Sequence, residues 1–277
     1  VGNEPEEISL LPLVKAYPNL SRQYGEVSCV AAIVLEGADA GKLIRIYPIP
    51  FRELDQDQQF QKYQPIRVTA WRPNNDQRPE SRKVDIETME ITGPRIDTSD
   101  SWAARRDLVE PVIEGSMCGL LREEKEDRTS LRILRPQEVL DLKIEEVEPD
   151  PEKGEMATAW TAQANLLEAP ERQAQRKALE QIPYKFKYVY KCTDPGCEKH
   201  TQSIVDWEIA QLYRRERHKA DWKQLIRTKF LDEMCGPAKD IAFIVGNQKL
   251  YRNAFLVLGI WWPPTRAQLS LVELGNL

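Results

Sequence analysis

Two thiols and an imidazole stand within nine residues in Cys192-Thr193-Asp194-Pro195-Gly196-Cys197-Glu198-Lys199-His200, around a Pro-Gly turn. Zinc takes four nitrogen or sulfur ligands in a tetrahedron, and a tight turn between strands gathers two or three of them at low entropic cost. The fourth must come from elsewhere in the chain. Cys235, at a helix end, is the first candidate and His218, between two helices, the second. A knuckle of this kind pins two strands and has no general base beside it, so the expectation is a structural zinc on Cys192, Cys197, His200 and Cys235. The competing description is a plain surface hairpin with two reduced thiols, since no paired Cys-x-x-Cys follows. Cys118, among Met117, Leu120 and Leu121 after a Gly-Ser turn, reads as a buried small hydrophobe.

A second group of residues could meet phosphate. Arg214, Arg215, Arg217 and Lys219 follow Tyr213 closely, and Lys223 and Arg227 flank the next helix beside Trp222. Clustered cations approach phosphates cheaply, and an exposed aromatic can stack on a base. The bland alternative is two solvated helix faces balanced by Glu208, Glu216, Asp232 and Glu233. A third group could cut phosphodiesters with a metal: Asp206 and Glu208 at a helix start and Asp240 at a strand start supply carboxylates. Asp206 is equally an N-cap and Asp240 a strand-edge charge. With only His200 and His218 in the chain, Ser-His-Asp and Cys-His chemistry is disfavoured, and no glycine loop for nucleotide phosphates occurs.

The elements that must position these groups can be read from period and punctuation. The 277 residues exceed the commonest domain size, and 41% hydrophobic with 30% charged content describes a folded, water-exposed chain. No run of apolar residues is long enough to span a membrane, and the acidic start does not resemble a leader. An odd number of cysteines, five, argues for a reducing, cytoplasmic setting. The net charge of −5 divides unevenly: residues 1–155 sum to −10 and residues 156–277 to +5. The acidic, proline-containing stretch 145–152 reads as a linker, which places an acidic domain over 1–150 and a basic one over 151–277.

In the first domain, Val27–Leu35, Leu43–Tyr47, Ile66–Trp71 and Val84–Ile91 predict four strands and a small barrel or twisted sheet. A helix from Ser101 to Glu110 is expected, capped by Ser99 or Asp100, and a strand over 140–145. In the second, Ala169-Pro170 opens a helix to Gln181, and Tyr184–Lys191 alternates apolar and lysine residues as a strand with one wet face. A short strand over 202–205 precedes helices capped by Asp206 and by an Asp221/Gln224 capping box. Residues 241–245 and 254–261 form a buried hairpin ending at Trp261-Trp262-Pro263-Pro264. The predicted class is α+β: a strand-rich, barrel-like N-terminal region and a C-terminal region of β-hairpins around two central helices.

Ile46-Tyr47-Pro48-Ile49-Pro50-Phe51-Arg52, Arg78-Pro79-Glu80-Ser81, Asp206-Trp207-Glu208, Val245-Gly246-Asn247 and Gly259-Ile260-Trp261-Trp262-Pro263-Pro264 together carry a resemblance. They resemble a poorly characterised prokaryotic family, with no known activity attached. The resemblance implies a bacterial cytoplasmic protein from mobile or antiviral-defence gene neighbourhoods. The functional expectation is a nucleic-acid-associated binding protein with an accessory structural zinc. The alternatives are a metal-dependent nuclease on Asp206, Glu208 and Asp240, and a protein-interaction subunit whose acidic half docks a basic partner.

Overall fold

The structure, a computed structural model, describes residues 4–21, 23–167 and 178–266; for 163–167 it describes the backbone alone. Six strands open the chain: β1 (Glu6–Lys15), β2 (Asn19–Ser21), β3 (Gly25–Val34), β4 (Leu43–Ile49), β5 (Ile66–Trp71) and β6 (Ser81–Ile91). Five of them close a ring in the order β1-β3-β4-β6-β5-β1, with β4 and β6 parallel and the other pairs antiparallel. Counted among themselves these five run 1-2-3-5-4-1, the connectivity of an OB barrel. Alternate residues turn inward, and Leu10, Val30, Ile44, Ile46, Ile66 and Val68 fill the interior. Their neighbours Leu11, Leu13, Ala31 and Ile33 are also buried, against the rest of the chain. Burial on both faces explains why 27–35 is continuously apolar instead of alternating.

Helices α1 (Ser99–Val109) and α2 (Met117–Asp127) follow, then β7 (Leu131–Leu134) and β8 (Pro136–Glu146). The capping expected at Ser99 or Asp100 is corrected: no side chain caps α1, and Asp100, Ser101 and Trp102 sit at positive φ. That left-handed turn accompanies the packing of Trp102 on Trp261, with ring centroids 5.1 Å apart. The acidic stretch read as a linker is corrected in part, because Pro151 begins a helix, α3 (Pro151–Leu167). Proline suits that first position, where its missing N–H has no partner to lose. Trp160 of α3 lies where a side chain on Gly25 would be, 1.9 Å from its missing Cβ, and donates to Glu53 at 3.2 Å. The helix expected from Ala169 to Gln181 lies mostly outside the described residues, and 178–181 are not helical.

The remaining elements are β9 (Tyr184–Cys192), β10 (His200–Ser203), α4 (Trp207–Glu216), α5 (Trp222–Arg227) with a π-helical continuation Thr228–Glu233, β11 (Ala242–Gln248) and β12 (Tyr251–Trp261). Asp206 caps α4 as expected, accepting from Glu208 N at 2.9 Å. The capping box at α5 is corrected, because Asp221 occupies the cap position without a side-chain bond. Two three-stranded sheets result, β10-β9-β8 and β12-β11-β7, so strands on either side of residues 145–152 pair with one another. β11 is the middle layer: Phe243 and Val245 face one core with Tyr188 and Tyr190, while Ala242 and Ile244 face the barrel's outer wall. The class is α+β, a barrel followed by hairpin sheets and helices.

Where β12 crosses β1 the chains leave no room for a side chain. A Cβ on Gly259 would lie 2.0 Å from Val14 Cγ1 and 3.2 Å from Asp206 Oδ2. Gly259→Ala should therefore lower stability by about 1–3 kcal/mol, the usual cost of overpacking, and a urea unfolding curve reads it as a lower midpoint.

Candidate metal centre

The inward period of β9 runs Phe186, Tyr188, Tyr190, Cys192, so alternation alone delivers the Cys192 thiol to the buried side of the strand end. The chain then turns: Asp194 O accepts from Cys197 N at 3.0 Å, and the Asp194 carboxylate accepts from Gly196 N at 3.3 Å. This folds Cys197 back until Cys192 N reaches its sulfur at 3.4 Å. β10 returns with His200 opposite Tyr190, their rings 5.4 Å apart.

The fourth group comes from α2. Ser116 caps that helix, accepting from Gly119 N at 3.0 Å, which fixes the first turn and presents Cys118 to the hairpin. Cys118 Sγ and His200 Nε2 are 3.4 Å apart. One turn along the same face, Arg122 donates to Asp194 at 2.8 Å, and Gln202 donates to Met117 Sδ at 3.1 Å, so helix and hairpin are tied on both sides of the cluster. The ligand atoms of Cys118, Cys192, Cys197 and His200 all lie within 4.8 Å of one another, the one Cys/His/carboxylate group of this kind among the described residues. A tetrahedral zinc with sulfur at about 2.3 Å and nitrogen at about 2.0 Å spaces its ligands roughly 3.6–3.8 Å apart. The four side chains fit with small adjustments and can hold a metal ion.

The electrostatics are prepared for a cation. Burial alone would push the Cys192 thiol up, but hydrogen bonds from the backbone at Cys118 and Asp194 and from His200 outweigh it and bring it to about 6. Burial, with the adjoining Cys192 and Cys197, pushes Cys118 up to about 12. One thiolate and one thiol sharing a space is the arrangement that a divalent ion resolves by displacing the remaining protons.

Cys235 is not the fourth residue here. It lies at the end of the π-helical turn, its thiol donating to Phe230 O at 3.2 Å, and burial pushes it up to about 12. His218, the alternative, is exposed after α4. Cys118 was the residue that sequence reasoning set aside as packing. The available signal was Ser116, an N-cap that places Cys118 in a first helical turn beside the hairpin instead of inside an apolar stripe.

The three expected catalytic carboxylates do not gather. Lys62 Nζ lies 3.0 Å from both oxygens of Asp206 and 3.2 Å from Glu208, and Asp206 is 2% exposed. Asp240 pairs instead with Arg106, at 2.9 Å. Buried Asp206 and half-exposed Glu208 are both held by Lys62, which ties barrel to helix, and Lys15 stands close enough that burial and Lys62 push it down to about 8. Metal-dependent cleavage needs open, converging carboxylates, which these are not.

The six expected phosphate contacts are mostly neutralised. Arg214 and Arg217 both reach Glu180, Arg215 and Lys219 both lie 2.6 Å from Glu216, and Arg227 lies 2.9 Å from Asp141. Lys223 alone of the six has no carboxylate partner among the described residues; it stands over Tyr184 and Trp222, 5.5 and 5.6 Å from their ring centres. On the lysine face of β9, Lys187 lies 2.5 Å from Glu145, while Lys185 and Lys191 have no carboxylate partner among the described residues. Five of the six cations read as phosphate contacts are thus interleaved with carboxylates.

Compared with known families, residues 113–275 match a model described as a domain of unknown function (DUF8757), and residues 6–111 match a second, also a domain of unknown function (DUF8758). No curated protein matches the chain. Among the described residues, no helix is long and apolar enough to cross a membrane.

Proposed function

Because the chain belongs to the DUF8757 family, a domain of unknown function, we propose its role from the site itself: it is a zinc-braced binding protein that associates with nucleic acid and performs no chemistry at the metal. The observation that carries the metal half is the set of four ligand groups. Three thiols and an imidazole complete a tetrahedron and leave no open position for water or substrate, which is the mark of structural zinc. The soft thiolates favour zinc over magnesium or calcium. Filled, the site would staple α2 to the β9–β10 hairpin, and through them the edge of one sheet to its covering helix.

The nucleic-acid half rests on the small Greek-key barrel, an architecture that lends itself to oligomer binding, and on cations outside the neutralised helices. All five cysteines are free, which suits a reducing compartment, and the cytoplasm is the proposed setting. The prokaryotic, antiviral-defence context is carried into this reading on the motif resemblance alone. A second reading, a subunit that docks a protein partner, is favoured by the tip of the β11–β12 hairpin, where Leu250 is 84% and Tyr251 64% exposed.

The test is direct. Purified protein should carry one zinc per chain and bind an oligonucleotide with affinity that falls steeply between about 50 and 200 mM salt. A metal-free protein, or no binding at low salt with capture of a protein partner through Leu250 and Tyr251, would favour the second reading.

A further inference from the structure

Cations without a carboxylate partner also stand on a different surface, the barrel wall. Trp71 ends β5 and pairs in register with Lys83 of β6, so both side chains stand on the outer wall of the barrel. β6 lies beside β4, which adds the exposed ring of Tyr47. The connection between β2 and β3 adds Tyr24, whose ring meets Tyr47 edge to face at 6.3 Å and lies 5.5 Å beneath Lys83 Nζ. Beyond Trp71 the β5–β6 connection begins Arg72-Pro73-Asn74-Asn75, and together with Trp71 and Lys83 these residues line a cleft of about 430 Å³. Among the described residues neither Arg72 nor Lys83 has a carboxylate within ion-pair distance. That contrasts with the segment from Arg214 to Arg227, on and between α4 and α5, where five of the six expected phosphate contacts are paired.

Three aromatic rings and two free cations in one row are the parts of a stacking platform with phosphate contacts. The strand pair β3–β4, which OB barrels commonly present to ligands, is closed here: Arg45 on β4 donates to Ser130 O at 2.9 Å and Ala31 and Ile33 pack against β7 and β11. The open wall is therefore β4-β6-β5.

We propose that this wall, Tyr24, Tyr47, Trp71, Arg72 and Lys83, binds single-stranded nucleic acid, with bases stacking on the rings and phosphates meeting the two cations. The inference rests on the nucleic-acid reading above and adds its place and its ligand class. A duplex hides the base faces that the rings would take, so unpaired strands are preferred. Neutral oligosaccharides also stack on aromatic rings but gain nothing from two unpaired cations beside them.

Fluorescence anisotropy with labelled dT and rU oligonucleotides tests it on the full chain. Trp71→Ala and, separately, Lys83→Glu should weaken binding roughly tenfold or more, the scale of one lost stack or phosphate contact. Arg215→Ala with Lys219→Ala should change it less than about twofold. Thermal melts accompany each variant, and Trp71→Phe, which keeps a stacking ring, should retain most of the affinity. Loss in the helix variant with Trp71→Ala and Lys83→Glu silent overturns the placement and leaves the nucleic-acid reading standing. Equal binding of duplex with both barrel variants silent, or Trp71-dependent binding of an oligosaccharide array alone, overturns the ligand class. No binding of any nucleic acid at low salt overturns both.

Discussion

Replacing Cys192 by serine is expected to remove the metal and to cost more than about 3 kcal/mol of stability. Structural zinc contributes on the order of 10 kcal/mol to small domains that fold around it, and this chain has apolar cores elsewhere that should retain part of the fold without it. For a chain of this size a loss of about 3 kcal/mol should lower the thermal midpoint by about 5 °C. Calorimetry of the wild type, the wild type stripped with chelator and Cys192→Ser checks this, and the latter two should melt alike. Acid should do the same more gently. Ligands bind the metal deprotonated, so affinity falls as pH falls; Cys192, brought to about 6 by its hydrogen bonds, remains a thiolate to lower pH than Cys118. An identical midpoint in all three samples at neutral pH would show that the cluster carries no stabilising metal.

Asp206→Ala should be nearly as damaging for a different reason. It leaves the buried Lys62 ammonium with only the half-exposed Glu208 for a partner and uncaps α4, so about 3 kcal/mol is expected, against well under half of that for the double variant Asp206→Leu with Lys62→Met. The pH dependence has a definite sign. Burial pulls Lys62 down, but Asp206 and Glu208 outweigh it and hold it above its ordinary 10.5. The folded state therefore keeps a proton that the unfolded chain releases, and the stability it contributes is present below pH 10.5 and lost as pH climbs beyond it. Urea midpoints measured across pH 9 to 11.5 should fall in the wild type and fall less in Asp206→Ala. Parallel slopes would mean that the pair is not what links the barrel to α4.

Both effects depend on residues whose partners are remote in sequence, and that separates what could be read early from what could not. The Cys192–His200 turn was legible because its geometry is local: a strand with clean alternation, an Asx turn and a returning strand lie within twenty residues. Cys118 was not, since α2 and β7 fall in a stretch with mixed periodicity and nothing in a single sequence says that α2 packs on that hairpin. The same limit applied to charge. Arg214 and Arg217 looked free because Glu180 lies more than thirty positions away, and Asp206 looked like a catalytic carboxylate because Lys62 is 144 residues distant. The barrel was visible through four of its strands, while β1 was missed: an acidic start and Pro12 hid a strand that is buried from Leu10 to Val14. The middle layer β11 was plain in its unbroken apolar run, because burial on both faces removes alternation.

X-ray absorption at the zinc edge, on protein purified without added metal, measures the coordination itself. One zinc per chain with three sulfurs at about 2.3 Å and one nitrogen at about 2.0 Å is expected, unchanged in Cys235→Ser and reduced to two sulfurs in Cys118→Ser. A shell of oxygen and nitrogen alone, or three sulfurs that persist in Cys118→Ser and disappear in Cys235→Ser, would contradict the Cys118, Cys192, Cys197 and His200 centre.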